Sequence, residues 1–229
     1  MQKVIFYLAA ILSVCMFASC SKDDDAAISL NEKEITLQVD GTKQLKANGD
    51  VSKWSSENEF IASVSESGMV TANHVGETSI MAQGAGGSAL CNVTVKPQYT
   101  YYVEPLCKEG ATKNDIKKFE TRNLHTESSD GLFYDGENSM VSAVAYKFDT
   151  NGKLNFVMLM LPHHYSTTLA SQLMNFLLER YNPAGDFDGV YSFIDANKLN
   201  LANKIVYMEV SPKGYSGYIC ITYKVNTHK

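Results

Sequence analysis

The sequence predicts two folded units of different class, an all-β sandwich followed by an α+β domain with two helices on an antiparallel sheet. Three observations carry this. From Ile28 to Lys96 apolar residues alternate in short runs separated by turn residues, with no helical period. After Pro97 helical periodicity appears for the first time. Twelve of the 13 tyrosines fall from Tyr99 onward, so composition switches at the same place.

The chain opens MQKVIFYLAAILSVCMFASC and continues SKDDDAA. Val4 to Ala18 is an apolar run behind one positive charge at Lys3, the layout of a secretory signal. It is shorter than the roughly 20 apolar residues of a membrane-spanning helix. Phe17-Ala18-Ser19-Cys20 resembles the lipobox of bacterial lipoproteins. That resemblance implies a signal peptide over 1–19 and lipid, palmitate included, on Cys20 as the first mature residue; several acyl chains on one residue suffice for stable membrane attachment. An ordinary secreted protein with a chance cysteine at the junction is the plainer alternative.

Residues 20–27 form an acidic tether, because Ser21 to Asp25 offers nothing apolar to bury and sets three like charges in a row. Asp23, Asp24 and Asp25 are similar to the acidic signal that follows the lipidated cysteine of lipoproteins exported to the outer face of the outer membrane in certain Gram-negative bacteria. The resemblance implies an outer-membrane lipoprotein facing the exterior; a mere spacer on a periplasm-facing anchor is the alternative.

Loss of Lys3 with the signal leaves 19 basic against 25 acidic side chains, a net of −6. No basic stripe gathers anywhere, so nucleic acid is not an expected partner. Cys15 leaves with the signal and Cys20 is lipidated, so Cys91, Cys107 and Cys220 remain; an odd number implies at least one free thiol.

In the first unit, residues 28–96, Ile35, Leu37 and Val39 alternate, as do Ala62 and Val64, then Val93 and Val95. Gly41, Gly49, Gly68, Gly76 and the Gly84–Gly87 cluster fall between the runs. GTKQLKA, then KWSSENEFIASVSESGMVTANHVGETSIMA, then CNVTV resembles the bacterial immunoglobulin-like group 2 domain, with six motif pieces in order. The stretch from Ala47 to Trp54 is shorter than is usual there, which puts an edge strand in doubt. The resemblance implies an immunoglobulin-like sandwich without catalytic residues, used as a spacer or binding module, with Trp54 in the core. Cys91 keeps phase with Val93 and Val95 and is expected to point inward.

Residues 97–104 read as a linker and 105–229 as the α+β domain. Thr112 with Asp115 makes a capping-box pattern opening a short helix, with Ile116 and Phe119 on one face. Strands follow at Val141–Phe148 and Leu154–Leu161, joined by a tight Asn151-Gly152 turn. Ser166 opens a second helix whose Leu169, Leu173, Phe176 and Leu177 form a stripe, stopped by Pro183 and Gly185. Further strands are expected at Val190–Ile194, Ile205–Val210 and Tyr218–Val225, with a weaker one at Leu132–Tyr134. This order suggests an α-β-β-β unit used twice. Small surface lipoproteins of the β-lactamase-inhibitor-like kind have a similar layout, though no motif here carries that likeness.

The candidates for chemistry are few. His163 and His164 are adjacent, and adjacent side chains diverge, so they make a poor metal chelate. Asp186-Phe187-Asp188-Gly189 begins like a calcium loop but lacks its later acidic ligands and reads as a turn. Gly214-Tyr215-Ser216-Gly217 precedes a strand and is not a nucleophile elbow. A Cys107 nucleophile needs a base close in space. No catalytic residue, metal or cofactor is therefore expected. The reading is a non-catalytic, lipid-anchored surface protein whose immunoglobulin-like spacer presents a C-terminal domain for protein or glycan binding. Its tyrosines, Tyr99, Tyr101, Tyr102, Tyr215, Tyr218 and Tyr223 among them, are the expected contact surface. The alternative is a surface-displayed hydrolase whose active site the sequence does not reveal.

Overall fold

The computed structural model describes residues 27–162, 167–210 and 218–227. Cys20, Asp23, Asp24, Asp25, His163, His164, Ser166 and the Gly214–Gly217 stretch lie outside the described residues.

The first unit is built from β1 (Ser29–Leu30), β2 (Glu34–Gln38), β3 (Thr42–Gln44), β4 (Ala47–Asn48), β5 (Lys53–Ser56), β6 (Ala62–Val64), β7 (Met69–Ala72), β8 (Gly76–Gly84) and β9 (Gly87–Lys96). A four-stranded sheet, β2-β9-β8-β5, faces a three-stranded one, β3-β7-β6, and β1 pairs with β4 at the side. Only β2 with β9 runs parallel among these pairs. The alternating apolar positions meet between the sheets, where Ile35, Leu45, Val70, Ile80, Cys91, Val93 and Val95 form one cluster. Cys91 is fully buried, as its phase with Val93 and Val95 requires. The stunted strand is β4, two residues long.

Trp54 differs from its expected place. It is half-buried, packed against the cluster rather than filling it. Gly68 explains the contact: its φ is +83°, and a Cβ there would lie 2.8 Å from the indole and 2.9 Å from the Leu45 carbonyl oxygen.

The second unit contains α1 (Lys113–Phe119), β10 (Leu124–Glu127), β11 (Gly131–Asp135), β12 (Ala143–Phe148), β13 (Leu154–Pro162), α2 (Thr167–Leu178), β14 (Asn182–Phe187), β15 (Val190–Ile194), a 3-10 turn (Leu199–Leu201), β16 (Lys204–Glu209) and β17 (Tyr218–Val225). The eight strands form one antiparallel sheet in the order β10-β11-β12-β13-β17-β16-β15-β14. Each half is a helix and four strands, not three, and the halves meet at β13 and β17.

The two additional strands are the sheet's edges. β10 is exposed at every residue and so lacks the apolar alternation that marks a half-buried strand. β14 contains Pro183 and Gly185, which do not stop α2; that helix has already ended at Leu178. Both edges carry register shifts, at Leu124/Thr126 and Pro183/Gly185, and β14 adds a proline without an amide hydrogen. Such features blunt an edge against pairing with another chain.

Local signals held elsewhere. The Thr112 hydroxyl accepts from the Asp115 amide while the Asp115 carboxylate accepts from the Thr112 amide, completing the capping box. Gly152 takes φ +71° in the β12–β13 turn, where the Asp149 side chain also accepts two backbone amides. Asp188 and Gly189, both at positive φ, form the two-residue β14–β15 turn between the paired Phe187 and Val190.

Both helices lie on one face of the sheet. Ile116 of α1 and Leu173, Phe176 and Leu177 of α2 pack with Tyr146, Leu159, Val206 and Ile221 in a single core. Phe119 does not share the buried face with Ile116 and is 44% exposed. Residues 97–104 are no free linker: Tyr102 is buried in this core, and Tyr99 and Tyr101 pack against it.

Candidate functional site

Half of the ten described C-terminal tyrosines are buried. Tyr102, Tyr134, Tyr146, Tyr181 and Tyr223 are buried in the core, and Tyr215 lies outside the described residues. Of the residues expected to form a contact surface, only Tyr218 stands clearly exposed. Sequence spacing misses this because a strand tyrosine faces either the core or solvent, and the register decides which.

The buried tyrosines come with two charge networks beneath the helices. In the first, Arg122 donates from Nη1 to both Glu120 oxygens, at 2.7 and 2.8 Å, and from Nε to Glu137 at 2.7 Å. Tyr146 donates to Glu120, and the Val103 amide donates to Glu137. Burial works to raise the Glu137 pKa, but the hydrogen bonds from Arg122 and Val103 outweigh it and hold the carboxyl below its ordinary range. In the second, Glu104 accepts from Tyr181 at 2.5 Å and from Tyr223 at 3.3 Å, and Tyr102 and Tyr223 share a hydrogen bond of 2.7 Å. Burial, with the Glu104 charge behind it, pushes Tyr102 and Tyr181 far above the usual phenol range; for Tyr223, burial acts together with Tyr102 and Glu104. All three therefore stay protonated donors. These networks satisfy buried polar atoms, which is the pattern of structural polar clusters; the Tyr134 hydroxyl alone among the described buried side-chain atoms has no partner.

The sheet's other face is different. Pairing register sets Phe133, Ala145, Met158, Thr222, Tyr207 and Ser192 side by side on six successive strands. The neighbouring row runs Ala143, Met160, Cys220, Glu209 and Val190. Met158, Met160, Thr222 and Tyr207 are half-buried and Phe133 is 40% exposed, whereas their inward neighbours Val157, Leu159 and Val206 are at 0%. Among the described residues no helix covers this face. One corner is capped, where Ala196 and Ala202, flanking the 3-10 turn, pack on Ile194 and Ile205. Phe187, at the rim, is 83% exposed. The surface is largely apolar and methionine-containing, with Thr222, Tyr207, Ser192 and Glu209 interspersed and Cys220 buried within it, suited to adaptable contact rather than to a fixed polar geometry.

The expected chemistry candidates are placed as follows. Cys91, Cys107 and Cys220 are all free thiols. Burial pushes Cys107 and Cys220 up to about 11, so neither is a thiolate at neutral pH and neither is activated as a nucleophile. Asp186 to Gly189 is the hairpin end described above. Among the described residues no group of three or more His, Cys, Asp or Glu is placed to hold a metal ion. A groove of about 540 Å³ lies on the first unit's four-stranded sheet between Glu34, Thr36, Glu57, Glu77 and Asn92, without an aromatic platform.

No curated protein matches the chain. Among solved structures, one titled as the S-layer protein SbsC, domains 5-6, is 14% identical and covers 89% of this chain and 85% of its own, at a TM-score of 0.26. A likeness that slight carries no argument about fold or location. The match to a family is of another kind, because it falls on the sandwich whose strands, core cysteine and glycine-backed tryptophan are described above. Residues 26–100 match the bacterial Ig-like domain (group 2), and this part of the chain is a domain of that family.

Proposed function

We propose that the chain is a non-catalytic, lipid-anchored protein of the outer cell surface, in which the Ig-like domain holds the C-terminal sheet away from the membrane to bind a protein or glycan. The observation that carries this reading is the open sheet face. An eight-stranded sheet buries one side under two helices and leaves the other, centred on Met158, Thr222 and Tyr207, without a covering layer among the described residues. An apolar patch on a soluble domain marks an interaction surface. The blunted edges favour contact through that face over strand addition. The anchor rests on the lipobox-like Cys20, and outward display on Asp23, Asp24 and Asp25.

Two measurements test the reading. Cys20→Ala should leave unprocessed precursor and remove the lipid mass from the N-terminus, as read by mass spectrometry; normal acylation would defeat the anchor. For the binding face, residues 21–229 and their Met158→Asp variant should be applied to a glycan array and to an array of purified extracellular-matrix proteins. A charge at the centre of a contact patch should weaken a captured ligand by about 100-fold or more while the circular dichroism is unchanged. Equal affinity in both proteins would move the site off this face.

A further inference from the structure

Glu179 lies just beyond the end of α2 and is 6% exposed. Its hydrogen bonds are unusual in where they go. One carboxylate oxygen accepts from the Gln98 amide at 2.9 Å, and the other from the Tyr99 amide at 3.1 Å. Its backbone carbonyl accepts from the Val75 amide at 2.8 Å, in the loop before β8 of the Ig-like domain. A single residue of the C-terminal domain thus ties down both the connecting segment and the Ig-like domain itself.

Arg180 reinforces the tie from the next position. Its guanidinium stacks over the Phe176 ring at 3.6 Å, donates to the Tyr99 carbonyl at 3.2 Å and meets Glu104 at 3.3 Å. The stretch from Gln98 to Glu104 is therefore held along α2 by both backbone and side chains. A groove of about 330 Å³ beside the tie is lined from both sides, by Val39, Asp40 and Asn73 and by Asn175 and Leu178.

A buried carboxylate is tolerated only when its oxygens are hydrogen-bonded. Arg180 of the C-terminal domain lies 3.4 Å from one Glu179 oxygen, but both amides that hydrogen-bond the carboxylate sit on the segment joining the two domains. We infer that Glu179 is an interdomain clamp: by pinning residues 98 and 99, where the chain passes between the domains, it fixes the angle between the Ig-like domain and the C-terminal sheet, so that the described chain moves as one rigid body. This goes beyond the proposed binding role and does not depend on it, since the clamp can be tested with no ligand present.

Residual dipolar couplings and ¹⁵N relaxation on residues 21–229 give the test. The wild-type protein should show a single alignment tensor and one rotational correlation time for both domains. Glu179→Ala should give two tensors, and chymotryptic cleavage after Tyr99 should be roughly tenfold faster or more, since the segment would lose its hydrogen bonds to a charged acceptor. Glu179→Gln, which keeps one acceptor oxygen, should fall between. Independent tensors in the wild-type protein would overturn the clamp, as would a Glu179→Ala variant that keeps one tensor and the wild-type cleavage rate. Should Glu179→Ala fail to fold, the wild-type couplings and the Gln variant still decide the matter.

Discussion

Replacing Arg122 by methionine is expected to destabilise the C-terminal domain by about 3–5 kcal/mol, the range for removing one partner of a buried ion pair. The guanidinium is 2% exposed and is shared between Glu120, 1% exposed, and Glu137. Methionine fills much of the volume, so the loss comes from two carboxylates left without their cation rather than from a cavity. Urea unfolding followed by tyrosine near-ultraviolet circular dichroism measures it, and a loss below about 1 kcal/mol would mean that the network is hydrated and weak.

The same variant should change the response to acid. In the wild-type protein Glu137 titrates below its ordinary value because hydrogen bonds from Arg122 and Val103 outweigh the opposing effect of burial. A carboxyl with a depressed folded pKa contributes stability that is fully present above the ordinary value and is lost as pH falls through the folded one. The wild-type protein should therefore lose stability on acidification below about pH 4.5. Without Arg122, burial is left to act with much less opposition, so the acid-side loss from this residue should shrink or reverse. Unfolding midpoints at pH 3.5 and pH 7 for both proteins check the sign.

Phe176→Ala should cost a similar amount, about 3–5 kcal/mol. The ring is fully buried, 4.3 Å from the Tyr102 ring and beneath the Arg180 guanidinium, so truncation removes core volume, an aromatic contact and a cation–π contact together. Phe176→Leu keeps most of the volume and should cost less than half as much. If the two variants unfolded alike, the ring's packing would not be what stabilises α2 on the sheet.

Local chemistry was legible along the chain. Alternation marked the strands with one buried face and put Cys91 inside, and the ordered motif pieces identified the Ig-like domain. Thr112 and Asp115 announced the start of α1, and Asn151-Gly152 the β12–β13 turn, because caps and tight turns are satisfied by residues within a few positions of one another. The edge strands β10 and β14 were not legible. Leu124 to Glu127 buries nothing, and Pro183 with Gly185 carries the signature of a break, which an edge strand tolerates because one of its sides has no ladder to maintain. Trp54 was placed too deep for a related reason: its motif position shows which strand it occupies, not how far Gly68 lets the neighbouring backbone approach.

By itself, then, the sequence determined the Ig-like character of the first unit, the pattern of the central strands and many, though not all, of the apolar side chains that leave solvent. The tertiary structure alone decided which face of the C-terminal sheet stays open and what satisfies Glu179. Those outcomes join residues far apart in the chain, Met158 beside Thr222 and Glu179 against Gln98 and Val75. A one-residue change of strand register would turn every side chain to the other face, and a buried carboxylate takes whichever amides the packed domains bring to it. Neither can be read from spacing along a single segment.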